Sequence, residues 1–269
     1  MASGAIRNRA MSDNTYAQYD NFMGRWSREV ATQFLDWIDI DEGSSWLDVG
    51  CGAGMLAQAV GERCSPSTII GADPLEKSIT AARQHPDNTG INFEIGDAQD
   101  LPFEDDQFDA VISGLMIKFV PDKLKAVNEM KRVAHTGSTI ALYDWNMDSN
   151  MNTTRHFWSA VADVIPERME DRATDRTPMT EIDSIANLFE AAGLNAIQQQ
   201  TISFTTQFRD LNDYWDPITN NAQNVGRFYQ TMTNAQRNEV LERLRQTLPL
   251  AADGSISFES RAVAVKGLV

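Results

Sequence analysis

Trp46-Leu47-Asp48-Val49-Gly50-Cys51-Gly52-Ala53-Gly54 carries the strongest structural signal in this 269-residue chain. A short apolar run leads into three alternating glycines, and a helix-compatible stretch follows from Gly54. A strand that enters a glycine loop and then opens a helix is the setting in which nucleotide-like ligands are bound. Glycines there allow positive φ and close backbone approach, and the helix behind offers free N–H groups and a positive dipole end. A dinucleotide fingerprint places glycine at the first, third and sixth positions. Here glycine stands first, third and fifth, with Met55 at the sixth, so the loop is less suited to a pyrophosphate. Asp48, two residues before Gly50, adds a carboxylate suited to an ammonium group.

On both sides of this loop, from Ser44 to Leu142, short apolar runs alternate with amphipathic stretches, the mark of β-α-β units and a parallel sheet. Strands are expected at Ser45–Val49, Thr68–Ala72, Asn92–Ile95, Phe108–Ser113 and Ser138–Asp144, with helices near Gly54–Glu62, Leu75–Arg83 and Asp122–Ala134. A helix over Glu181–Ala192, a strand over Ala196–Phe204, a helix over Thr233–Leu248 and a last strand over Ser257–Val265 follow. The pattern predicts an α/β fold, a doubly wound, mostly parallel, seven-stranded Rossmann-like sheet. Residues 15–269 read as one domain behind a disordered leader at residues 1–14. Two aromatic- and methionine-rich segments, Trp145–Arg176 and Thr205–Met232, break the rhythm. They are expected to be helical caps over the carboxyl edge of the sheet, where open α/β sheets bind ligands; plain surface helices are the alternative.

The second strand runs into Asp73-Pro74. Asp73 follows Asp48 by about 25 residues, near the ~20-residue spacing of a ribose-binding acid in nucleotide folds. A carboxylate accepts from both ribose hydroxyls, although the same pair also suits a helix start with proline at its first position.

Asp-x-Gly-x-Gly-x-Gly after a strand, followed by these acids, resembles the class I S-adenosylmethionine-dependent methyltransferases, in particular the type 11 branch that includes quinone-biosynthesis enzymes. The resemblance covers about Ser44–Leu142. It implies S-adenosyl-L-methionine as cofactor and S-adenosyl-L-homocysteine as product. The loop of Asp48, Gly50, Cys51 and Gly52 would cradle the cofactor's amino-acid end, and Asp73 and Pro74 its ribose. Gly96-Asp97-Ala98 resembles the adenine-binding segment, with Asp97 and Ala98 as the contacts. Gly114 and Leu115 resemble the end of the family's fourth strand, the wall between cofactor and substrate. Relatives often close the site with an N-terminal segment, which implies cofactor contacts for Tyr19 and for Arg25 or Arg28, whose guanidinium suits the cofactor carboxylate; a simple packing helix is the alternative. Where many relatives carry histidine after the fourth strand, this chain has Ile117-Lys118.

Methyl transfer at a sulfonium needs mainly orientation, and a general base only where the acceptor arrives protonated. The candidates for such a role are His156, Lys118 and Tyr214, with Tyr143, Asp144, Trp145 and Trp215 as further pocket residues. His85 and His135 fall in connections away from the site. The expected acceptor is a small organic molecule, with the methylated atom (oxygen, nitrogen or carbon) left open.

Composition removes other classes. A net charge of −15 disfavours phosphate backbones, and Lys123, Lys125, Lys131 and Arg132 read as the wet face of one helix, so no nucleic-acid partner is expected. Cys51 and Cys64 supply neither a disulfide framework nor metal-ligand spacing, which points to a cytoplasmic setting and no metal. The absence of cysteine beyond Cys64 excludes thiol-dependent arsenic methylation. No apolar run approaches the ~18 residues of a membrane span. Homo-oligomerisation is left open. The alternatives on a similar core are aminopropyl transfer from decarboxylated S-adenosylmethionine, a non-catalytic cofactor-binding partner subunit and, disfavoured by the glycine spacing, an NAD-dependent oxidoreductase.

Overall fold

The computed structural model describes residues 24–146, 152–170, 182–220 and 224–269. Seven strands form one sheet in the order β3-β2-β1-β4-β5-β7-β6. They are β1 (Ser45–Val49), β2 (Thr68–Asp73), β3 (Asn92–Ile95), β4 (Phe108–Gly114), β5 (Ala134–Trp145), β6 (Asn195–Phe208) and β7 (Ile256–Leu268). Strands β1 to β5 pair in parallel; β7 runs antiparallel to both β5 and β6. The described helices are α1 (Arg25–Ile38), α2 (Met55–Arg63), α3 (Glu76–Gln84), α4 (Lys123–Val133), α5 (Asn152–Val164), α6 (Ile182–Ala191), α7 (Leu211–Thr219), α8 (Asn224–Gln230) and α9 (Asn234–Thr247).

Alternation along the strands divides the interior into two layers. Trp46, Ala110, Ile112, Ala141 and Tyr143 face one core with α1, α2, α3, α5 and α7 to α9. Leu47, Val49, Val111, Ile140 and Leu142 face the other, closed by α4 and α6. Side chains of successive strand residues point to opposite faces, so a strand covered by helices on both sides reads as a continuous apolar run.

Several sequence expectations need correction here. β5 begins at Ala134, so His135-Thr136-Gly137 lies inside a strand and not in a turn. β6 continues through Thr205–Phe208, and the last strand spans Ile256–Leu268; both are longer than expected. β5 stops pairing at Trp145↔Ala262, yet β6 and β7 continue to Phe208↔Ile256. The result is a two-stranded ribbon projecting past the carboxyl end of β5. Its one face buries Phe204, Thr206, Phe208, Ile256, Phe258 and Ser260, while Thr205, Gln207, Ser257 and Glu259 stay exposed. The caps are built on that buried face. Phe157 of α5 packs against Trp158, Trp215 and Phe228, and Tyr214 of α7 packs edge-on against Phe208 and Phe258. The rings that suggested a pocket lining form the interior of the cap itself. The expected leader (1–14), Tyr19 and residues 171–176 of the first cap lie outside the described residues.

The wet-face reading of α4 gives way at Lys131 and Arg132, while Lys125 is exposed. Arg132 reaches Glu129 (2.8 Å), Asp105 (2.7 Å) and the carbonyls of Phe103 (2.8 Å) and Leu101 (3.0 Å). Glu129 accepts from the Leu101 N–H at 2.9 Å. Lys131 donates to the carbonyls of Ala192 and Gly193. These cations tie α4 to the loop after β3 and to the end of α6.

Candidate functional site

The carboxyl ends of β2, β1, β4 and β5 lie side by side, and Asp48, the glycine loop, Asp73, Gly114, Leu115 and Lys118 stand there, whereas Arg25, His156 and Tyr214 do not. At the end of β1 the chain must turn sharply into α2. Gly50, Gly52 and Gly54 take φ of +74°, +56° and +93°, values that strain any L side chain. The N–H groups of Gly50 and Cys51 both donate to the Ala72 carbonyl (2.7 and 3.0 Å), which pins the loop against β2. Asn88, from the turn after α3, supports it from behind by donating to the Ala53 and Ala82 carbonyls. A Cβ on Gly50 would overlap Met116, whereas a Cβ on Gly52 would meet nothing within 4 Å. Gly50 is therefore glycine for packing, and Gly52 faces open space.

Asp48 is 1% exposed. Its Oδ2 accepts from the Ala57 N–H in the first turn of α2 at 3.1 Å, and its Oδ1 is buried with no hydrogen-bond partner. Burial, assisted by the charge of Asp73 and opposed by the Ala57 N–H, pushes this carboxyl up to about 7. Asp73, at the end of β2, accepts from the Gly52 N–H through Oδ2 (3.1 Å) and from the Leu75 N–H through Oδ1 (2.9 Å). It thus holds the loop and also shapes the Pro74 turn into α3. Cys51 is buried in the loop; burial first, and then Asp48 and Asp73, raise its thiol and keep it protonated.

On the β3 side, Ala98 is buried and Asp97 exposed, its Oδ1 accepting from the Gln99 N–H at 2.9 Å. The Arg132–Glu129 clamp fixes Leu101 and Phe103 just beyond. On the β4 side, Gly114 is crowded by the Tyr143 ring: a Cβ there would lie 2.6 Å from the phenol. Leu115 follows with φ +62°, a conformation that costs a non-glycine residue energy and clusters at ligand sites.

The candidate bases have different surroundings. Lys118 Nζ donates to Asp144 Oδ1 at 2.6 Å, so its ammonium is paired and not a free base. Tyr214 is wholly buried, and its phenol is raised by that burial despite a hydrogen bond with the Phe157 backbone. That leaves it a packing residue of the cap. His156 is half-buried and stacked on Phe258 at 5.0 Å; burial first, then Arg155, lower it, so its imidazole is neutral at pH 7. Arg25, expected on a cofactor carboxylate, instead places Nη1 3.2 Å from Asp213 and its guanidinium over Trp26 and Phe208. Burial lifts Asp213, but the N–H and guanidinium of Arg209 and the charge of Arg25 outweigh it and hold it low. Arg25 thereby ties α1 to α7. Tyr19 lies outside the described residues. Spacing does not announce Asn88, Met116 or the Arg132 clamp, because each acts through the packing of distant segments.

Comparison with known proteins finds matches over the same span. Residues 47–142 match the type 11 family model described as a methyltransferase domain. The chain is 27% identical over 182 residues to methyltransferase GfsG of Streptomyces halstedii, covering 66% of this chain and 62% of that one. It is 35% identical over 127 residues to the chloroplastic 2-phytyl-1,4-beta-naphthoquinone methyltransferase of Arabidopsis thaliana, covering 45% and 49%. The match thus spans about half to three-fifths of these relatives' lengths. Among solved structures, the YcgJ protein of Bacillus subtilis superposes with a TM-score of 0.58 at 20% identity, covering 89% of this chain and 98% of that one, which speaks for a shared fold.

Proposed function

We propose that the chain, whose residues 47–142 match the type 11 methyltransferase domain model, transfers a methyl group from S-adenosyl-L-methionine to a small organic acceptor. The observation that carries this reading is the unpartnered, buried Oδ1 of Asp48 beside a positive-φ glycine loop whose Gly52 faces open space. A buried carboxylate oxygen without a donor is costly, and an ammonium group satisfies it. The donor set fits the cofactor. Asp48 and the loop Gly50-Cys51-Gly52 would hold its amino-acid end, Asp73 and Pro74 its ribose, and Asp97 and Ala98 its adenine, with Gly114 and Leu115 as the wall toward the acceptor.

When bound, the cofactor supplies a methyl group already activated on a sulfonium. The protein's contribution is then orientation and exclusion of water. The clamp of Arg132 and Glu129 holds the adenine-side loop, and the Ala72 carbonyl holds the glycine loop. An ammonium arriving beside Asp48 stabilises its ionised form, so binding at pH 6 releases a proton from this carboxyl.

Titration calorimetry tests the reading. S-adenosylhomocysteine is expected to bind, and NAD is not. S-adenosylhomocysteine release from S-adenosylmethionine in the presence of hydroxyl, amine and carbon acceptors then separates a working enzyme from a non-catalytic partner. Turnover of decarboxylated S-adenosylmethionine in place of the methyl donor would contradict the proposal.

A further inference from the structure

A second buried carboxylate stands on the same edge. Asp144, near the end of β5, is 1% exposed. Its Oδ1 accepts from Lys118 Nζ (2.6 Å) and from the Trp145 N–H (2.7 Å), but its Oδ2 is buried with no hydrogen-bond partner. Among the described residues, Asp48 and Asp144 are the two carboxylates left with such an oxygen. Both stand at strand ends on the carboxyl edge, with β4 between them.

The turn after β4 links the two places. Met116 packs over Gly50 in the glycine loop, and two residues on Lys118 reaches Asp144. The Lys118 side chain is 21% exposed, and the Asp144 contact is its one side-chain hydrogen bond among the described residues. An ammonium carries three donors, so donors remain. Beside it, 5.2 Å from Nζ, lies the ring of Phe119, which is 69% exposed. An unpaired acceptor, spare donors and an open aromatic face thus sit next to the glycine loop.

We propose that Asp144 and Lys118 together bind a hydroxyl group of the acceptor molecule, an inference that rests on the methyl-transfer reading above. Only some groups satisfy both side chains. A hydroxyl donates its proton to Oδ2 and accepts from the ammonium with its oxygen. An ether or ketone oxygen accepts from Lys118 but leaves Oδ2 unpaired. An ammonium satisfies Oδ2 but faces the like charge of Lys118. The pair therefore selects hydroxyl-bearing acceptors against their ethers and amines, since a buried polar group left unpaired is what rejects the wrong ligand. Lys118, considered alone a candidate base, becomes a donor that positions the acceptor.

The test uses 1-naphthol and 1-methoxynaphthalene, which differ in one O–H, titrated into the full chain saturated with S-adenosylhomocysteine. The wild type is expected to bind naphthol at least tenfold more tightly than its methyl ether. Asp144→Asn and Lys118→Met are expected to reduce that preference below threefold while S-adenosylhomocysteine affinity changes less than threefold. A purely structural role for the pair would instead weaken both naphthalenes and the cofactor together. If Asp144→Asn does not fold, Lys118→Met, at the partly exposed end of the pair, decides the question alone. A wild type that binds S-adenosylhomocysteine but treats the two naphthalenes alike, or binds neither, overturns this inference and leaves the methyl-transfer reading standing. A wild type that does not bind S-adenosylhomocysteine overturns both.

Discussion

At the carboxyl ends of β1 and β5, Asp48 and Asp144 are buried with an oxygen unpaired, and between them Gly50, Gly52 and Leu115 hold positive φ. In the cap, Phe157, Trp215, Phe228, Phe208 and Phe258 close against one another. Its carboxylates and hydroxyls find partners: Thr219 Oγ1 bonds the Trp215 carbonyl at 2.9 Å, and Asp213 bonds Arg25 and Arg209, although Nε and Nη2 of Arg25 stay buried without a hydrogen bond. Among the described residues the cap has no residue at positive φ and no unpaired carboxylate oxygen, and the sheet edge has both. Unpaired polar atoms and backbone strain persist only where the surrounding structure over-determines them, and such places are usually binding sites. The difference separates a scaffold from a site within one chain.

Substitution at Gly52 breaks that contrast most sharply. A Cβ there meets no protein atom, so Gly52→Val costs the fold only the strain of a β-branched residue at φ +56°, about 1–2 kcal/mol. It is expected to fold, by circular dichroism, and to lose S-adenosylhomocysteine binding by more than about 100-fold, or 2.8 kcal/mol. Normal affinity in the folded variant would mean that Gly52 does not face the cofactor.

In the cap the expected effect is reversed. Phe157→Ala removes a fully buried ring and should cost about 3–5 kcal/mol in chemical denaturation. Cofactor affinity in the surviving folded protein should change by less than about threefold, or 0.7 kcal/mol. A stable variant that loses the cofactor would place α5 in the binding site.

A pH series sharpens the comparison further. Asp48 is raised from 3.8 to about 7 in the folded chain, so the native state holds a proton that the unfolded state has released between those values. Stability from this group is therefore present in full below pH 3.8 and is lost as pH rises toward 7. The loss amounts to roughly 4 kcal/mol at most, whereas His156 and Asp213 in the cap are both lowered and so lose stability as pH falls instead. Asp48→Asn is expected to flatten the fall between pH 4.5 and 7.5 and to leave the protein about 1–2 kcal/mol more stable at pH 7.5, while weakening cofactor binding. An unchanged stability–pH curve would show that the Asp48 carboxyl is not held in this state.

Strands β1 to β4 and the glycine loop were legible because their signals are local: an apolar run, alternating glycines and an acid within a few residues of one another. The cap was legible only as composition. Counting aromatics between Trp145 and Met232 does not tell a lining ring from a packed one, so composition alone offers Tyr214 as a candidate base. The alternation Phe204-Thr205-Thr206-Gln207-Phe208 did carry the missing information. It continues β6 into the ribbon on which the cap is built. Lys118–Asp144 and Arg132–Leu101 join residues about 30 positions apart across strand ends, and no local spacing encodes such contacts.

The claim that the carboxyl edge binds S-adenosylmethionine is tested most directly at Asp73, whose two oxygens already hold Gly52 and Leu75 in place. S-adenosylhomocysteine is titrated calorimetrically into the wild type and Asp73→Ala, with folding of both checked by circular dichroism. The wild type is expected to bind, and the variant to bind about 1–3 kcal/mol more weakly, having lost a charged acceptor for the ribose hydroxyls. Equal dissociation constants for the two proteins, or no binding by the wild type, would contradict it.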